Sequence, residues 1–116
     1  MGKIVEFDYM CKDTVIAHVV LDTGAKTVTC EEYTTDMDYM LFGKLEHTVA
    51  NLMRVLELRC FDRNRPDAKE ILEYFGVPEY SPYHICLKTH GASTQDYKWI
   101  RWAGETLTWD DVKLRN

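Results

Sequence analysis

The first third of the chain alternates apolar and polar residues with the period of two that is typical of β-strands. Phe7 and Tyr9 fall on one face of the first such segment, and Glu6 and Asp8 fall on the other. The pattern predicts three antiparallel strands over residues 3–10, 15–21 and 26–33, joined by turns at residues 12–13 and 22–25. We therefore expect an N-terminal three-stranded antiparallel sheet.

The middle of the chain changes to the spacing of three and four that marks one face of a helix. The first stripe contains Leu45, Val49, Leu52, Met53 and Leu56 and predicts a helix of about fifteen residues. The second contains Ala68, Ile71, Leu72 and Phe75, between Pro66 as the first helical residue and Gly76 as a left-handed cap. Two consecutive apolar stripes predict a two-helix hairpin packed on the sheet.

The last third of the chain is less regular. Residues 83–89 are compatible with a short helix or a strand, whereas residues 97–102 alternate as a strand with Trp99 and Trp102 on opposite faces. After a turn at residues 103–105, residues 106–109 either pair back as a hairpin or begin a terminal helical turn, in which Thr108 and Asp111 have capping-box-like spacing. We expect a C-terminal β-hairpin and assign the chain to the α+β class.

Composition indicates one ordinary folded unit. With 46% hydrophobic and 28% charged residues in 116, residues 1–116 are expected to form a single domain with its own core. The four cysteines contain no CxxC pair, which favours reduced thiols in a cytoplasmic protein. No apolar run reaches the roughly 18 residues of a membrane span, so no membrane association is expected.

The charge is concentrated in the first half. The net charge is −5, and residues 1–58 contain five Lys and Arg against ten Asp and Glu, whereas residues 59–116 contain nine of each. An acidic surface repels phosphate backbones, so direct binding of naked nucleic acid is not expected, whereas a basic groove of a partner protein is a suitable target. Simple solubility is the alternative explanation of the charge.

The most concentrated acidic stretch interleaves carboxylates with large apolar side chains. It contains Glu31, Glu32, Asp36 and Asp38 together with Tyr33, Met37 and Tyr39, and we expect a loop or an irregular sheet edge there. Later in the chain Arg59, Arg63, Arg65 and Lys69 form a basic cluster, diluted by acidic neighbours and typical of a solvated surface. Indole side chains are frequent binding anchors, and Trp102, beside a turn, is the tryptophan that we expect to be exposed.

Residues 84–90 contain side chains suited to two kinds of chemistry, metal binding and thiol catalysis. His84, Cys86 and His90 offer three Zn²⁺ ligand types but lack paired-ligand spacing, and Cys86 with His90 could form a nucleophile and base but without an orienting element. We expect no metal, no cofactor and no catalytic residue. His90 is instead expected to stabilise a turn by hydrogen bonding, with Ser93, Thr94 and Asp96 as further turn residues.

A resemblance is carried by the C-terminal third. The segment KTHG, Ser93, Asp96-Tyr97, Trp99-Ile100-Arg101, Gly104 and the run LTWDDV at residues 107–112 resembles a segment of uncharacterised proteins from Firmicutes and their phages, plasmids and conjugative elements. It also resembles the region ahead of the kinase core in some HipA-like proteins. The resemblance implies an accessory protein of a mobile element. No phosphate loop or catalytic aspartate motif of a kinase occurs here, so kinase activity does not carry over.

Three hypotheses follow from these observations. The first is a non-enzymatic protein-binding inhibitor of a host defence nuclease, such as an anti-CRISPR protein that blocks a Cas effector, acting in the bacterial cytoplasm through Glu31, Glu32, Asp36, Asp38, Tyr39 and Trp102. The second is an accessory or antitoxin-like module that docks on a HipA-like kinase through residues 99–109. The third is a small enzyme that uses Cys86 and His90.

Overall fold

Four strands form one antiparallel sheet in the order β3-β2-β1-β4. The computed structural model describes residues 3–93 and 96–114. Its elements are β1 Ile4–Cys11, β2 Thr14–Asp22, β3 Thr27–Glu32, α1 Val49–Glu57, α2 Ala68–Phe75, α3 Pro82–Thr89, β4 Lys98–Trp102 and α4 Trp109–Val112. The mixture of one antiparallel sheet with several helices confirms the α+β class.

The predicted N-terminal meander is confirmed. Lys12 adopts a left-handed conformation (φ 52°) in the turn between β1 and β2. In the next turn the Asp22 carboxylate accepts hydrogen bonds from the amides of Gly24 and Ala25, both at 3.0 Å. Short polar side chains that bond to the following amides are typical turn formers, and they set the register of β2 and β3.

The alternation in the strands separates a core face from a solvent face. Phe7 and Tyr9 of β1 are buried, opposite Val19 and Ala17 of β2. Helix α1 adds Leu52, Val55 and Leu56 to the same core. The hydrophobic core therefore lies between one face of the sheet and the helices, as the period-two pattern predicts.

Helix α1 is shorter than the apolar spacing predicts. Thr48 has an extended backbone, and its hydroxyl accepts a hydrogen bond from the amide of Asn51 at 3.1 Å, so the helix begins at Val49. Leu45 precedes this cap and is 43% exposed. An N-cap satisfies amides that have no intrahelical partner, and here it overrides an apolar pattern that continues upstream.

The prediction that the first two helices pack together as a hairpin is wrong, because the partner of α1 is α3. Helix α1 packs against α3, whose residues Ile85 and Cys86 are buried, whereas α2 contributes no fully buried residue. Residues 83–89, compatible with either helix or strand in the sequence, belong to helix α3, which is capped by Ser81. Helix α2 begins two residues after Pro66, and it ends at left-handed Gly76 (φ 72°) as predicted.

The predicted C-terminal β-hairpin is also wrong. Strand β4 pairs with β1, and its outer amides are already satisfied, because Ile100 donates to the His90 carbonyl at 2.7 Å and Trp102 donates to the Glu105 carboxylate at 2.8 Å. A returning strand would find these donors occupied. Residues 106–108 lead instead into α4, where Thr108 and Asp111 form a capping box.

None of the helices within residues 3–93 and 96–114 combines the length and apolar character that crossing a membrane requires.

Candidate functional site

The end of β3 and the exposed segment that follows it concentrate carboxylates and large apolar side chains. We call this surface the acidic edge; it consists of Glu31, Tyr33, Asp36, Met37, Asp38 and Tyr39. Its three large apolar side chains are exposed: Tyr33 by 54%, Met37 by 50% and Tyr39 by 43%. Strand β3 is an edge strand of the sheet, so this surface lies at the margin of the fold.

Short-range hydrogen bonds fold the acidic edge into a defined turn. The Asp36 carboxylate accepts from the amide of Asp38 at 3.0 Å, and the Asp36 carbonyl accepts from Tyr39 and Met40 at 2.9 and 3.1 Å. Lys98 of β4, which is remote in the sequence, anchors this turn. Its ammonium group donates a hydrogen bond to the Asp38 carbonyl and lies 5.3 Å from the centre of the Tyr39 ring. The side chains are thus presented by an ordered segment.

Glu32 is placed differently from its acidic neighbours. It points to the core side of β3, and one of its carboxylate oxygens accepts a hydrogen bond from the amide of Leu41 at 2.5 Å. The other oxygen is buried and has no hydrogen-bond partner among the described residues. Glu32 is adjacent to Glu31 in the sequence, but adjacent residues of a strand point to opposite faces, so Glu32 does not belong to the exposed acidic surface.

The expectation that Trp102 is exposed is wrong. Its side chain is 8% exposed, its ring lies 5.1 Å from that of Phe7, and its indole nitrogen donates to the Cys86 carbonyl at 3.2 Å. Pairing of β4 with β1 places Trp102 opposite Phe7 on the core face. Trp102 is therefore a core residue, and Trp99, with no exposed surface, is also buried.

A row of charged residues crosses the outer face of the sheet. The register aligns Glu31 of β3, His18 of β2, Asp8 of β1 and Arg101 of β4. The imidazole of His18 contacts the Asp8 carboxylate at 2.7 Å and that of Glu6 at 3.1 Å, and Arg101 contacts Asp8 at 3.3 Å. The hydrogen bond with Asp8 raises the pKa of His18.

This row extends the acidic edge across the sheet, a connection that the sequence alone does not predict. The signal was present in the alternation, which put Glu6 and Asp8 on the outward face of β1. What the sequence lacks is the strand order and register, which bring Glu31 alongside His18.

The candidate metal-binding or catalytic residues at positions 84–90 do not converge. His84 bonds to the Ser81 hydroxyl at 2.8 Å, and His90 contacts the Glu105 carboxylate at 2.8 Å. Cys86 is fully buried with its sulfur 3.8 Å from that of Cys60, and a hydrogen bond with Cys60 together with burial raises the pKa of Cys86.

His90 lies in the turn that ends α3, as expected, although its imidazole contacts Glu105 and the turn is closed by its backbone amide. His90 ends α3 in a left-handed conformation (φ 58°), and its amide donates to the Cys86 carbonyl at 2.8 Å. Asp96 is also a structural residue, since it accepts from Arg59 and from the Lys98 amide. Thr94 lies outside the described residues.

Three members of the basic cluster pair with carboxylates, and the fourth, Lys69, is exposed on α2. Arg59 is buried against Asp96, Arg63 pairs with Glu57 at 3.0 Å, and Arg65 pairs with Asp67 at 2.9 Å. A cavity of about 610 Å³ adjoins Arg59 and His90 between α2, α3 and the C-terminal segment. Within the lining of this cavity, Arg59 and His90 are paired with Asp96 and Glu105 respectively.

A second group of chemically active side chains was missed by sequence reasoning. Cys30 and Glu32 of β3 and His47 of the following loop each place a potential ligand atom within 4.8 Å of the other two. Burial and the nearby charge of Glu32 raise the pKa of the Cys30 thiol to about 12. The spacing of Cys30 and Glu32, two apart on one strand face, was the available signal, but the loop that returns His47 to them was not predictable.

With the acidic edge, the charged row and this side-chain group located, the chain was compared with models of protein families, with curated proteins and with solved structures, and no match was found in any of the three comparisons.

Proposed function

We propose that this protein is a non-enzymatic binding module that presents the acidic edge to a basic groove of a nucleic-acid-binding protein. One observation carries this proposal: exposed carboxylates and exposed Tyr33, Met37 and Tyr39 share one ordered surface segment. Carboxylates can form charge-assisted pairs with Lys and Arg of such a groove, and aromatic and methionine side chains supply contact area.

The more specific form of the proposal is an inhibitor of a host defence nuclease, of the anti-CRISPR kind, that occupies the groove in which a Cas effector holds nucleic acid. The net charge of −5 and the resemblance to proteins of mobile elements support it. The charged row adds Glu6 and Asp8 to the negative surface, although His18 and Arg101 offset part of their charge.

The test begins with capture of partners. The tagged protein is used as bait in a Firmicutes lysate, with and without nuclease and at two salt concentrations, and the eluate is identified by mass spectrometry. We expect a stoichiometric basic partner that is released at high salt, since exposed ion pairs are screened.

Two variants then locate the interface. E31K/D36N/D38K alters the acidic edge and keeps at Asp36 an oxygen that can accept from the Asp38 amide. E70Q/E73K/E79K makes the same change in net charge at exposed positions in and after α2. We expect the first variant to lose the partner and the second to keep it. Retention of the partner by the acidic-edge variant would refute the proposed interface.

A module that docks on a HipA-like kinase through the region of residues 99–109 is a second candidate. Trp99 and Trp102 are buried, which leaves half-buried Trp109 and the neighbouring Tyr97 as aromatic contacts; Tyr97 is 47% exposed and packs edge-on against Trp109 at 5.9 Å. Co-purification of a kinase that is lost in Y97S and kept in E31K/D36N/D38K would favour this candidate over the first.

The third candidate, an enzyme that uses Cys86 and His90, receives no support from the geometry. A nucleophilic thiol needs a lowered pKa and access to substrate, whereas Cys86 is fully buried with a raised pKa. We expect Cys86 to resist iodoacetamide in the folded protein and to react after unfolding, as measured by peptide mass spectrometry. Rapid labelling of native Cys86 would reopen this candidate.

A further inference from the structure

Three side chains of different ligand type meet beside the inner face of β3. Cys30 and Glu32 are two residues apart on that strand, and His47 returns to them from the loop that connects β3 to α1. A thiol sulfur, a carboxylate oxygen and an imidazole nitrogen all lie within 4.8 Å of one another. This is a mixed set of donors from two separate parts of the chain.

Neighbouring contacts hold two of the three groups in place. The Leu41 amide donates to Glu32 at 2.5 Å and fixes the orientation of its carboxylate. The imidazole of His47 packs against the buried ring of Phe42, with 4.6 Å between ring centres. In known metal sites, residues that contact the ligands without binding the metal orient those ligands and tune the affinity for the metal.

The donor set matches one metal in particular. Zn²⁺ accepts thiolate, imidazole and carboxylate ligands, and neighbouring donors of a tetrahedral site lie roughly 3.3–3.8 Å apart at its usual bond lengths. The three donors here lie within 4.8 Å, so convergence requires small side-chain movements, which the exposed His47 can supply. A buried carboxylate oxygen of Glu32 also has no hydrogen-bond partner among the described residues.

We propose that Cys30, Glu32 and His47 bind one Zn²⁺ ion, with a fourth position left for solvent or for a donor of a partner. On binding, the Cys30 thiol releases its proton to solvent and the sulfur forms the bond to the metal. This inference does not depend on the proposed function. A bound ion would link β3 to His47, the residue before the N-cap of α1. It would thereby close the loop that carries Asp36 and Asp38.

The experiment measures metal binding directly. The purified chain is stripped with a chelator, and Zn²⁺ is titrated in competition with a chromophoric chelator; Co²⁺ is titrated in parallel, because a thiolate–Co²⁺ charge-transfer band reports the sulfur ligand. We expect one equivalent of Zn²⁺, a charge-transfer band with Co²⁺, and a higher melting temperature of the Zn²⁺-loaded chain.

Matched variants identify the ligands. C30S and H47Q each remove a proposed ligand, whereas C11S and H84Q remove a half-buried cysteine and an exposed histidine elsewhere. We expect C30S and H47Q to weaken Zn²⁺ binding by more than about 100-fold, which exceeds the loss caused by removing a residue that only supports a ligand. The two controls should bind Zn²⁺ as the wild type does. Because His47 is exposed, H47Q is expected to fold even if C30S does not.

Several outcomes would overturn the inference. One is the absence of stoichiometric binding to the wild-type chain at micromolar Zn²⁺. A second is equal affinity of H47Q and H84Q. A third is retention of the charge-transfer band in C30S together with its loss in C60S, which would place the ion at the Cys60 and Cys86 thiols, whose sulfurs are 3.8 Å apart.

Discussion

Arg59 donates a hydrogen bond from each of its terminal nitrogens to the carboxylate of Asp96, at 2.7 and 2.8 Å, although the two residues are 37 positions apart in the sequence. Its Nε atom also donates to the carbonyl of Gly91 and its Nη2 atom to that of Lys98, both at 2.9 Å. The Arg59 side chain is only 10% exposed. One guanidinium therefore ties the segment after α1 to both ends of the loop that leads into β4.

The first prediction concerns this pair. D96N removes the charge that compensates a buried guanidinium, and we expect the free energy of unfolding to fall by about 2–3 kcal/mol. Urea denaturation checks this value. E57Q, which breaks the exposed pair of Glu57 and Arg63, is the control and should change stability by less than about 0.5 kcal/mol.

The same pair predicts an acid dependence of stability. The hydrogen bond from Arg59 lowers the pKa of Asp96 below 3.8, so its contribution is present above that pH and is lost as the pH falls through the folded-state pKa. The stability difference between wild type and D96N should therefore shrink in acid. A difference that stays constant down to the lowest measurable pH would contradict the assigned cause.

The second prediction concerns Gly91, which follows α3 with φ 61°. A Cβ atom there would lie 3.2 Å from Ile100 and 3.3 Å from the Cβ of Arg59, whereas one at Gly76 would meet nothing within 4 Å. Both substitutions carry the cost of a left-handed alanine, so G76A should destabilise by about 1–2 kcal/mol. G91A should cost measurably more in the same denaturation assay, and equal costs would mean that the contact is relieved by relaxation.

The third prediction concerns His18 on the outer face of the sheet. Its pKa is raised above 6.5, mainly by Asp8, so its stabilising contribution is complete below pH 6.5 and is lost as the pH rises through the folded-state pKa. NMR titration of the imidazole should show the raised pKa, and D8N should lower it. Denaturation midpoints of the wild type should decline over this pH range relative to H18Q, and parallel profiles would argue against the link.

The fourth prediction separates two tryptophans. Trp102 is buried between the rings of Phe7 and Tyr83, at 5.1 and 5.6 Å, whereas Trp109 is half-buried at the start of α4. W102A should destabilise the fold by about 3–5 kcal/mol, as for other large core truncations. W109A should cost clearly less. Emission spectra of the W102F and W109F variants provide a second check, because the tryptophans left in W102F should be more quenched by iodide than those left in W109F.

Local rules account for the parts that the sequence predicted well. The period-two alternation of β1, the turn at Asp22 and the cap at Gly76 each depend on residues close together in the chain, and each has the expected form. The Thr108 and Asp111 capping box, which the sequence offered only as the alternative to a hairpin, is also a local feature. Such features follow from backbone preferences and short-range hydrogen bonds, which need no knowledge of the rest of the fold.

The candidate binding surfaces also combine features that the sequence predicts with features that depend on the tertiary structure. That residues 33–40 would form an exposed, acidic and aromatic segment followed from composition alone. The inward turn of Glu32, the burial of Trp102 and the alignment of Glu31 with His18 did not, because they depend on which strand lies beside which.

The sequence by itself therefore determined the fold class, the strands of the meander, the approximate helical segments and the acidic stretch, since local periodicity and turn chemistry encode them. Only the tertiary structure decided that β4 pairs with β1, that α3 rather than α2 packs against α1, and that Cys30, Glu32 and His47 meet. These choices depend on contacts between residues far apart in the chain, where burial and strand pairing outweigh the local pattern.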